Sequence, residues 1–444
     1  MRLTVPYGDA AVAFEVPRVS LAGVVSADVC RSGAAAVGDG GSRVRPGAAS
    51  KALTEADEQA EIRRALTEPI GAPRLCDLAK GRRSAVIVVS DVTRPCPSYK
   101  FLPALLDELR PIPATAVTIL FGLGSHRPHA PEEQRVLVGE EVATSGVTLL
   151  DSGGDDFVSV GVTSRGTPLA VSRPYLEADI RVCTGNIDYH YFAGFSGGAK
   201  AVVPGLCTSD TIRANHGMML HDGARAGVLE GNPVREDIDE AGGIVGIDFL
   251  FNVVLDEERR VARAVAGDYL VAHRVGAAFY DALYDLRVDE PVDVVVASPG
   301  GSPKDMNLYQ AQKTLDNVAG VVRDGGVIIL VARCEEGLGN PVFEEWMTTM
   351  RTPHDLVERI RREFVLGGHK AAAIASLLER VDLFLVSELP DELVWRMHMR
   401  PFHDVDAAVR AALASRGAGT RVLVVPHGRR VTVRREAPSE EGIG

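Results

Sequence analysis

The stretch Ser84-Ala-Val-Ile-Val-Val-Ser-Asp-Val-Thr-Arg-Pro95 decides how this chain folds. Its first half is an unbroken apolar run, not an alternating one. That pattern belongs to a parallel strand covered on both faces, because a strand with one wet face shows polar residues at every second position. Similar runs recur at Ala116–Phe121, Ile180–Cys183, Val292–Ala297 and Val327–Val331. Helical patterns separate most of them, as at Tyr99–Leu109 and Asp355–Phe364. Strands alternating with helices predict an α/β fold of two domains with mainly parallel sheets.

A length of 444 residues suits two domains better than one core. Near 270–290 a hairpin-like pair, Phe249–Leu255 and Arg260–Val265, gives way to a helix at Tyr269–Leu283 and then a new strand. The reading is an N-terminal catalytic and cofactor-binding domain at 1–275 and a C-terminal α/β domain at 276–444 that closes over the site. Residues 1–18 alternate around Tyr7-Gly8-Asp9 as a hairpin would. Ser20 to Ser50 is rich in Ala, Gly and Ser and reads as a surface loop. A charged helix follows at Thr54–Leu66, and the tail after Val433 is polar and expected to fray.

Hydrophobic residues make up 46% and charged residues 24%, the balance of a soluble globular protein. The formal charge of −12 leaves no basic field for nucleic acid or anionic lipid. An anionic ligand must then be gripped by local cations, and Arg94 and Lys313 are the ones to examine. Cys30, Cys76, Cys96, Cys183, Cys207 and Cys334 lie far apart with no Cys-x-x-Cys pair, which argues against a disulfide framework and a thiolate zinc site. The start has no apolar signal region, and no apolar run nears the ~20 residues a membrane span needs. These features predict a cytoplasmic protein with neither nucleic-acid nor membrane partners.

In open α/β sheets, ligands sit beyond the carboxyl ends of strands. Five unusual segments are placed there: Ser90–Pro95, Gly122–Pro128, Gly185–His190, the loop running on to Lys200, and Ser298–Gly301 leading to Tyr309-Gln-Ala-Gln-Lys313. Asp91 reads either as a helix cap or as a site carboxylate. Arg94 favours a site, because Pro95 fixes the chain as it leaves the strand and a guanidinium matches a carboxylate in two parallel hydrogen bonds. His126, in a glycine-containing turn, is a general-base candidate, since imidazole titrates near pH ~6.5. His190, among Tyr189, Tyr191 and Phe192, fits a core histidine as well as a functional one. Gly194-Phe-Ser-Gly-Gly-Ala-Lys200 is the strongest local signal. Freedom at Gly197 and Gly198 lets consecutive N–H groups cup an anion beside Lys200, although the Walker A spacing is absent. The residues alone lead to a phosphate-binding loop with a reactive lysine. Thr208-Ser209-Asp210 reads as the N-cap of a helix at Thr211–Leu220, on which His216 follows Asn215. One histidine is a poor metal site unless something other than the protein supplies the remaining ligands.

Together these segments resemble the lactate racemase family. The likeness spans most of the chain: Val-Pro-Tyr-Gly at 5–8, Asp-Val-Thr-Arg-Pro at 91–95, Gly-Ser-His-Arg-Pro at 124–128, His190 through Lys200, Asn215-His216, and Tyr309 through Lys313. The resemblance implies a nickel-pincer nucleotide, the nickel complex of pyridinium-3-thioamide-5-thiocarboxylic acid mononucleotide. Lys200 would be its covalent attachment point, and Asp91, Ser196, Gly197 and Gly198 further cofactor-binding residues. His216 would be the metal ligand, which explains why one histidine suffices, and a soft sulfur set suits nickel. It further implies His126 and His190 as the catalytic pair and Arg94, Lys313, Gln310 and Tyr309 as the grip on substrate, with Asp91 orienting Arg94 or a cofactor hydroxyl. The active site is expected in the cleft between the domains. The implied activity is racemisation or epimerisation of a small 2-hydroxy acid, with cofactor-biosynthesis proteins as maturation partners. Two alternatives stand beside it: a lysine-dependent lyase or transferase with a phosphate-binding glycine loop, and a non-catalytic cofactor-binding homologue.

Overall fold

A computed structural model of the chain describes residues 1–24, 44–45, 53–94, 96–256, 258–365, 367–429 and 431–435. Cys30, Pro95, the tail beyond 435 and most of the Ser20–Ser50 stretch lie outside the described residues. The chain forms two compact α/β units, one of Lys51–Asp281 and one that joins Met1–Ser50 to Ala282–Gly444.

That division differs from the expected split at residue 275, because the N-terminal strands go with the C-terminal part. Strand pairing is the reason. Leu21–Val24 lies parallel to Val422–Val425 at the edge of the C-terminal sheet. The predicted hairpin is present, with Arg2–Tyr7 antiparallel to Ala10–Glu15. It buries Val5 and Phe14 in one apolar core with Val294, Ile329 and Val424. The sheet of this unit runs Arg400–Phe402, Asp382–Val386, Val322–Val331, Val292–Ala297, Val422–Val425, Leu21–Val24, every neighbour parallel.

The Lys51–Asp281 unit has its own six-stranded sheet, in the order Val261–Gly267, Phe249–Leu255, Ile180–Ile187, Ala85–Ser90, Val117–Gly122, Thr148–Asp151. All neighbours are parallel except the first pair, the expected hairpin. Ala85 through Val89 are fully buried, as the unbroken apolar run requires. The charged helix is Glu55–Thr67, opened by a Thr54–Asp57 capping box. The run at Ile180–Cys183 continues as a strand to Ile187, because Thr184 through Ile187 pair with Phe251–Val254. Gly185 and Asn186 therefore belong to the strand and not to the loop beyond it.

From Ala85–Ser90 the chain adds strands on one side, at Val117–Gly122 and Thr148–Asp151. It then crosses to the other side at Ile180–Ile187. The adjacent strands Ala85–Ser90 and Ile180–Ile187, which are not consecutive in the chain, thus mark a switch point, the place where open α/β sheets take their ligands. The segments after these strands hold Asp91, Arg94, His190 and Lys200, while His126 follows the neighbouring strand Val117–Gly122. Among the described residues, no helix is long and apolar enough to cross a membrane.

Candidate active site

The turn after Ala85–Ser90 satisfies its own backbone donors in a definite way. Arg94 N–H donates to the Asp91 carbonyl at 3.0 Å, and Thr93 N–H to Asp91 Oδ1 at 2.7 Å. Asp91 Oδ2 accepts from His126 Nδ1 at 2.9 Å. Burial opposes the Asp91 charge, but the hydrogen bonds from His126 and Thr93 outweigh it and bring the carboxyl down to about 2. The carboxylate is buried while the His126 side chain keeps 37% of its surface exposed. With Nδ1 bound to Asp91, a neutral His126 presents Nε2 as its basic nitrogen. Of the two roles expected of Asp91, orienting Arg94 or a cofactor hydroxyl, the tie to Arg94 runs through backbone, while the carboxylate serves His126 and Thr93. The Arg94 side chain is exposed and lies near enough to Lys200 to repel its charge.

The glycine loop begins as a small hairpin, Tyr189–His190 against Gly194–Phe195. Ser196 Oγ accepts from Asp188 N–H at 2.9 Å and contacts both the Asn186 carbonyl and the Asp188 carboxylate. Gly197 and Gly198 both take positive φ, 74° and 64°. A Cβ on Gly197 would stand 2.6 Å from Asn252 Oδ1, and one on Gly198 3.0 Å from the His273 ring. Gly198 N–H donates to Asn252 Oδ1 at 2.8 Å, and Lys200 N–H to the Gly197 carbonyl at 3.3 Å. Of the Gly197 and Gly198 N–H groups expected to cup an anion at this turn, that of Gly198 is engaged by Asn252. The glycines let the chain pack against Asn252 and His273.

Lys200 lies in the short 3-10 turn Gly198–Ala201 that ends this loop. Part of its side chain remains accessible, yet protein crowds the amine. Burial pushes its pKa well below the ordinary lysine range, with Arg235 and Arg94 adding to the effect and Asp188 opposing it. Among the described residues, none accepts a hydrogen bond from this amine.

Phe192, itself buried, draws the remaining groups together. Its ring meets His190 edge-on at 4.6 Å and His216 at 4.8 Å. Lys200 Nζ stands 6.0 Å from the same ring centre. His190 Nδ1 accepts Ala193 N–H at 3.3 Å, so its neutral ring carries the proton on Nε2. His216 lies on the helix Ser209–Gly217, a little shorter than expected, and its Nδ1 contacts Asn215 Oδ1 at 3.2 Å. Thr208 occupies the N-cap position, but its hydroxyl turns to Thr211 and makes no cap bond. Among the described residues, no three His, Cys, Asp or Glu side chains converge as a ready metal site.

Tyr309, Gln310 and Lys313 belong to the other unit. Asn307 caps the short helix Leu308–Ala311 and receives Gln310 N–H at 3.0 Å. The buried Lys370 donates to the Tyr309 carbonyl at 2.8 Å and sits 3.4 Å from the centre of its ring. Lys313 opens the helix Lys313–Val318, in which burial pushes the Asp316 carboxyl up to about 7 against the pull of Lys370 and Lys313.

Sequence reasoning missed four supports in the Lys51–Asp281 unit. Arg235, fully buried, donates to the Ala193 carbonyl at 3.1 Å and also binds the Phe195 carbonyl. Burial brings its pKa down to about 10 although Asp239 lies beside it. His273 Nε2 donates to the Ser196 carbonyl at 2.8 Å, and burial with nearby Arg235 holds this ring well below the ordinary histidine range. Asn252 holds Gly198, and His129 holds Val92 N–H at 3.0 Å. Only Arg235 had a local signal: Asn232-Pro233 starts a helix at Pro233–Val245 whose apolar face includes this one cation.

A parallel-sheet switch point that gathers imidazoles, a carboxylate and a desolvated amine is the arrangement of an α/β enzyme. Comparison with known proteins then gives the family. Residues 43–227 match the lactate racemase N-terminal domain and residues 288–433 the lactate racemase C-terminal domain. The lactate racemase of Thermoanaerobacterium thermosaccharolyticum is 33% identical over 442 residues, 97% of this chain and 99% of the relative. That of Lactiplantibacillus plantarum is 33% identical over 387 residues, 85% of this chain and 91% of the relative. The lactate racemase apoprotein structure from T. thermosaccharolyticum superposes with a TM-score of 0.86 at 32% identity, covering 98% of this chain and all of that one. A Thermotoga maritima protein shares the fold, with a TM-score of 0.60 at 18% identity over 86% of this chain and 99% of that one. The chain belongs to the lactate racemase family and is an isomerase of the racemase class.

Proposed function

We propose that the chain is a nickel-dependent racemase or epimerase of a small 2-hydroxy acid. Lys200 would carry the nickel-pincer nucleotide, and His216 would complete the nickel ligand set. The observation that carries this reading is the grouping of His190, His216 and Lys200 around the Phe192 ring, with burial and Arg235 disfavouring the charged form of the lysine amine. A neutral amine is the form able to make a covalent bond to an acyl or thioacyl carbon. Among the described residues no three His, Cys, Asp or Glu side chains converge as a metal site, which suits a metal whose other ligands arrive with an organic group. When bound, that group supplies hydride transfer to and from the carbon being inverted.

The protein's own residues would handle the proton and the carboxylate. His126, backed by Asp91, presents a basic Nε2 that can take the substrate hydroxyl proton. His190 would act from a second direction, taking or returning that proton as its imidazole and imidazolium forms in turn. Inversion needs both, one for each enantiomer. Arg94 would be an exposed fork for the substrate carboxylate. Maturation would require the cofactor-biosynthesis proteins. Lactate, named for the relatives, is the first substrate to try, followed by larger hydroxy acids.

A Schiff-base lysine is the second reading, since the same desolvated amine would favour it. One experiment separates the two. Protein matured with the cofactor pathway should carry an adduct on the Lys200 peptide with stoichiometric nickel, and should invert an α-deuterated substrate without exchange into solvent. Lys200→Arg keeps charge and length but has no acylatable amine, and activity should fall to background. Full activity with an unmodified Lys200, or borohydride trapping of a carbonyl at that residue, would overturn the proposal.

A further inference from the structure

Beside the Asp91–His126 pair stands a second histidine–carboxylate pair to which the mechanism gives no task. The His129 side chain is fully buried against Phe121. Its Nδ1 lies 2.7 Å from Asp151 Oδ1, and its backbone N–H donates to Asp151 Oδ2, also at 2.7 Å. Gln134 Nε2 donates to the same carboxylate at 3.1 Å. On the far side of the ring, Nε2 lies 3.0 Å from the backbone nitrogen of Val92.

A peptide N–H can only donate, so His129 Nε2 must be the acceptor and carry no proton. The ring is then neutral with its proton on Nδ1, given to Asp151. This arrangement leaves His129 no general acid or base work, because both ring nitrogens are engaged within the protein. The donors of the 91–94 turn show what the ring does instead. Thr93 and Arg94 N–H are satisfied by Asp91 itself. Val92 N–H is turned away from Asp91 and needs a partner from elsewhere. His129 supplies it, one residue from the carboxylate that orients His126 and two from Arg94.

We propose that His129, fixed as the Nδ1–H tautomer by Asp151, is a positioning residue that locks the Asp91–Arg94 turn in place. The ends of three adjacent strands, Ala85–Ser90, Val117–Gly122 and Thr148–Asp151, are thereby tied in series from Asp151 through His129 to Val92. Its catalytic consequence rests on the racemase reading above, whereas the tautomer does not.

The test therefore has two arms. In the full chain with imidazole 15N labelling, His129 Nδ1 should resonate as a protonated nitrogen and Nε2 as an unprotonated one, with Val92 N–H slow to exchange. A protonated Nε2 overturns the proposal. In matured enzyme, His129→Phe removes the acceptor while filling the space. Asp151→Asn keeps the shape but sets an amide donor against either Nδ1–H or the His129 backbone N–H. Each should lower kcat/KM about 10- to 100-fold, mostly in kcat, and speed Val92 exchange. Fast Val92 exchange without loss of turnover would show the turn to be merely structural and sink the positioning role. Matured wild type that inverts no 2-hydroxy acid would instead overturn the reading on which the catalytic consequence rests.

Discussion

The two strand-end regions at the switch point are built on opposite electrostatic plans. After Ala85–Ser90 and Val117–Gly122, each histidine is backed by a carboxylate: His126 by Asp91 and His129 by Asp151. After Ile180–Ile187, the glycine loop is held by Arg235, His273 and Asn252, and the charges felt by Lys200 are mainly positive. A carboxylate partner fixes a ring's tautomer. Cationic neighbours and burial disfavour a charged amine. The first region therefore sets which nitrogen of each ring carries the proton, and the second opposes a positive charge on Lys200.

Breaking the second plan should have the larger effect. Arg235→Leu leaves the Ala193 and Phe195 carbonyls and Asp239 without their buried cation, at an expected cost of about 3–5 kcal/mol in denaturant unfolding. Arg235→Leu as stable as wild type would show that the loop needs no cationic anchor.

Disabling the first plan should act on turnover. Asp91→Asn keeps the shape but weakens the hold on His126 Nδ1–H, so kcat of matured enzyme should drop about 100-fold with the fold intact. An unchanged pH profile and kcat would remove the carboxylate from the mechanism.

The smallest effect is a pH dependence of stability. Asp91 has a folded pKa of about 2, below its ordinary value. Its contribution is thus complete above the ordinary carboxylate range and is lost as pH falls toward 2. On the order of 2 kcal/mol should disappear over that interval, and Asp91→Asn should flatten this part of an acid-unfolding curve. An equal acid slope in the variant would assign the loss to other carboxylates.

Much of the frame was legible before any coordinates. Unbroken apolar runs mark strands buried on both faces, and Val292–Ala297 falls where its sequence places it. The Tyr7-Gly8-Asp9 turn marked its hairpin as clearly. The strand after Arg181 was read too short, because Gly185 and Asn186 look like loop residues until Phe249–Leu255 pairs with them. The placement of the first strands with the C-terminal sheet was likewise hidden, since parallel pairing of Leu21–Val24 with Val422–Val425 leaves no local trace.

Sequence alone determined which chemical groups this chain brings and that they follow strand ends, because periodicity and glycine placement are local properties. Tertiary structure decided who partners whom. Asp91 and His126 are 35 residues apart, Gly198 and Asn252 54, and Ser196 and His273 77. Contacts over such separations depend on strand order and burial. Burial lowers the pKa of Lys200, and the Val92 and Asp151 contacts make His129 an acceptor.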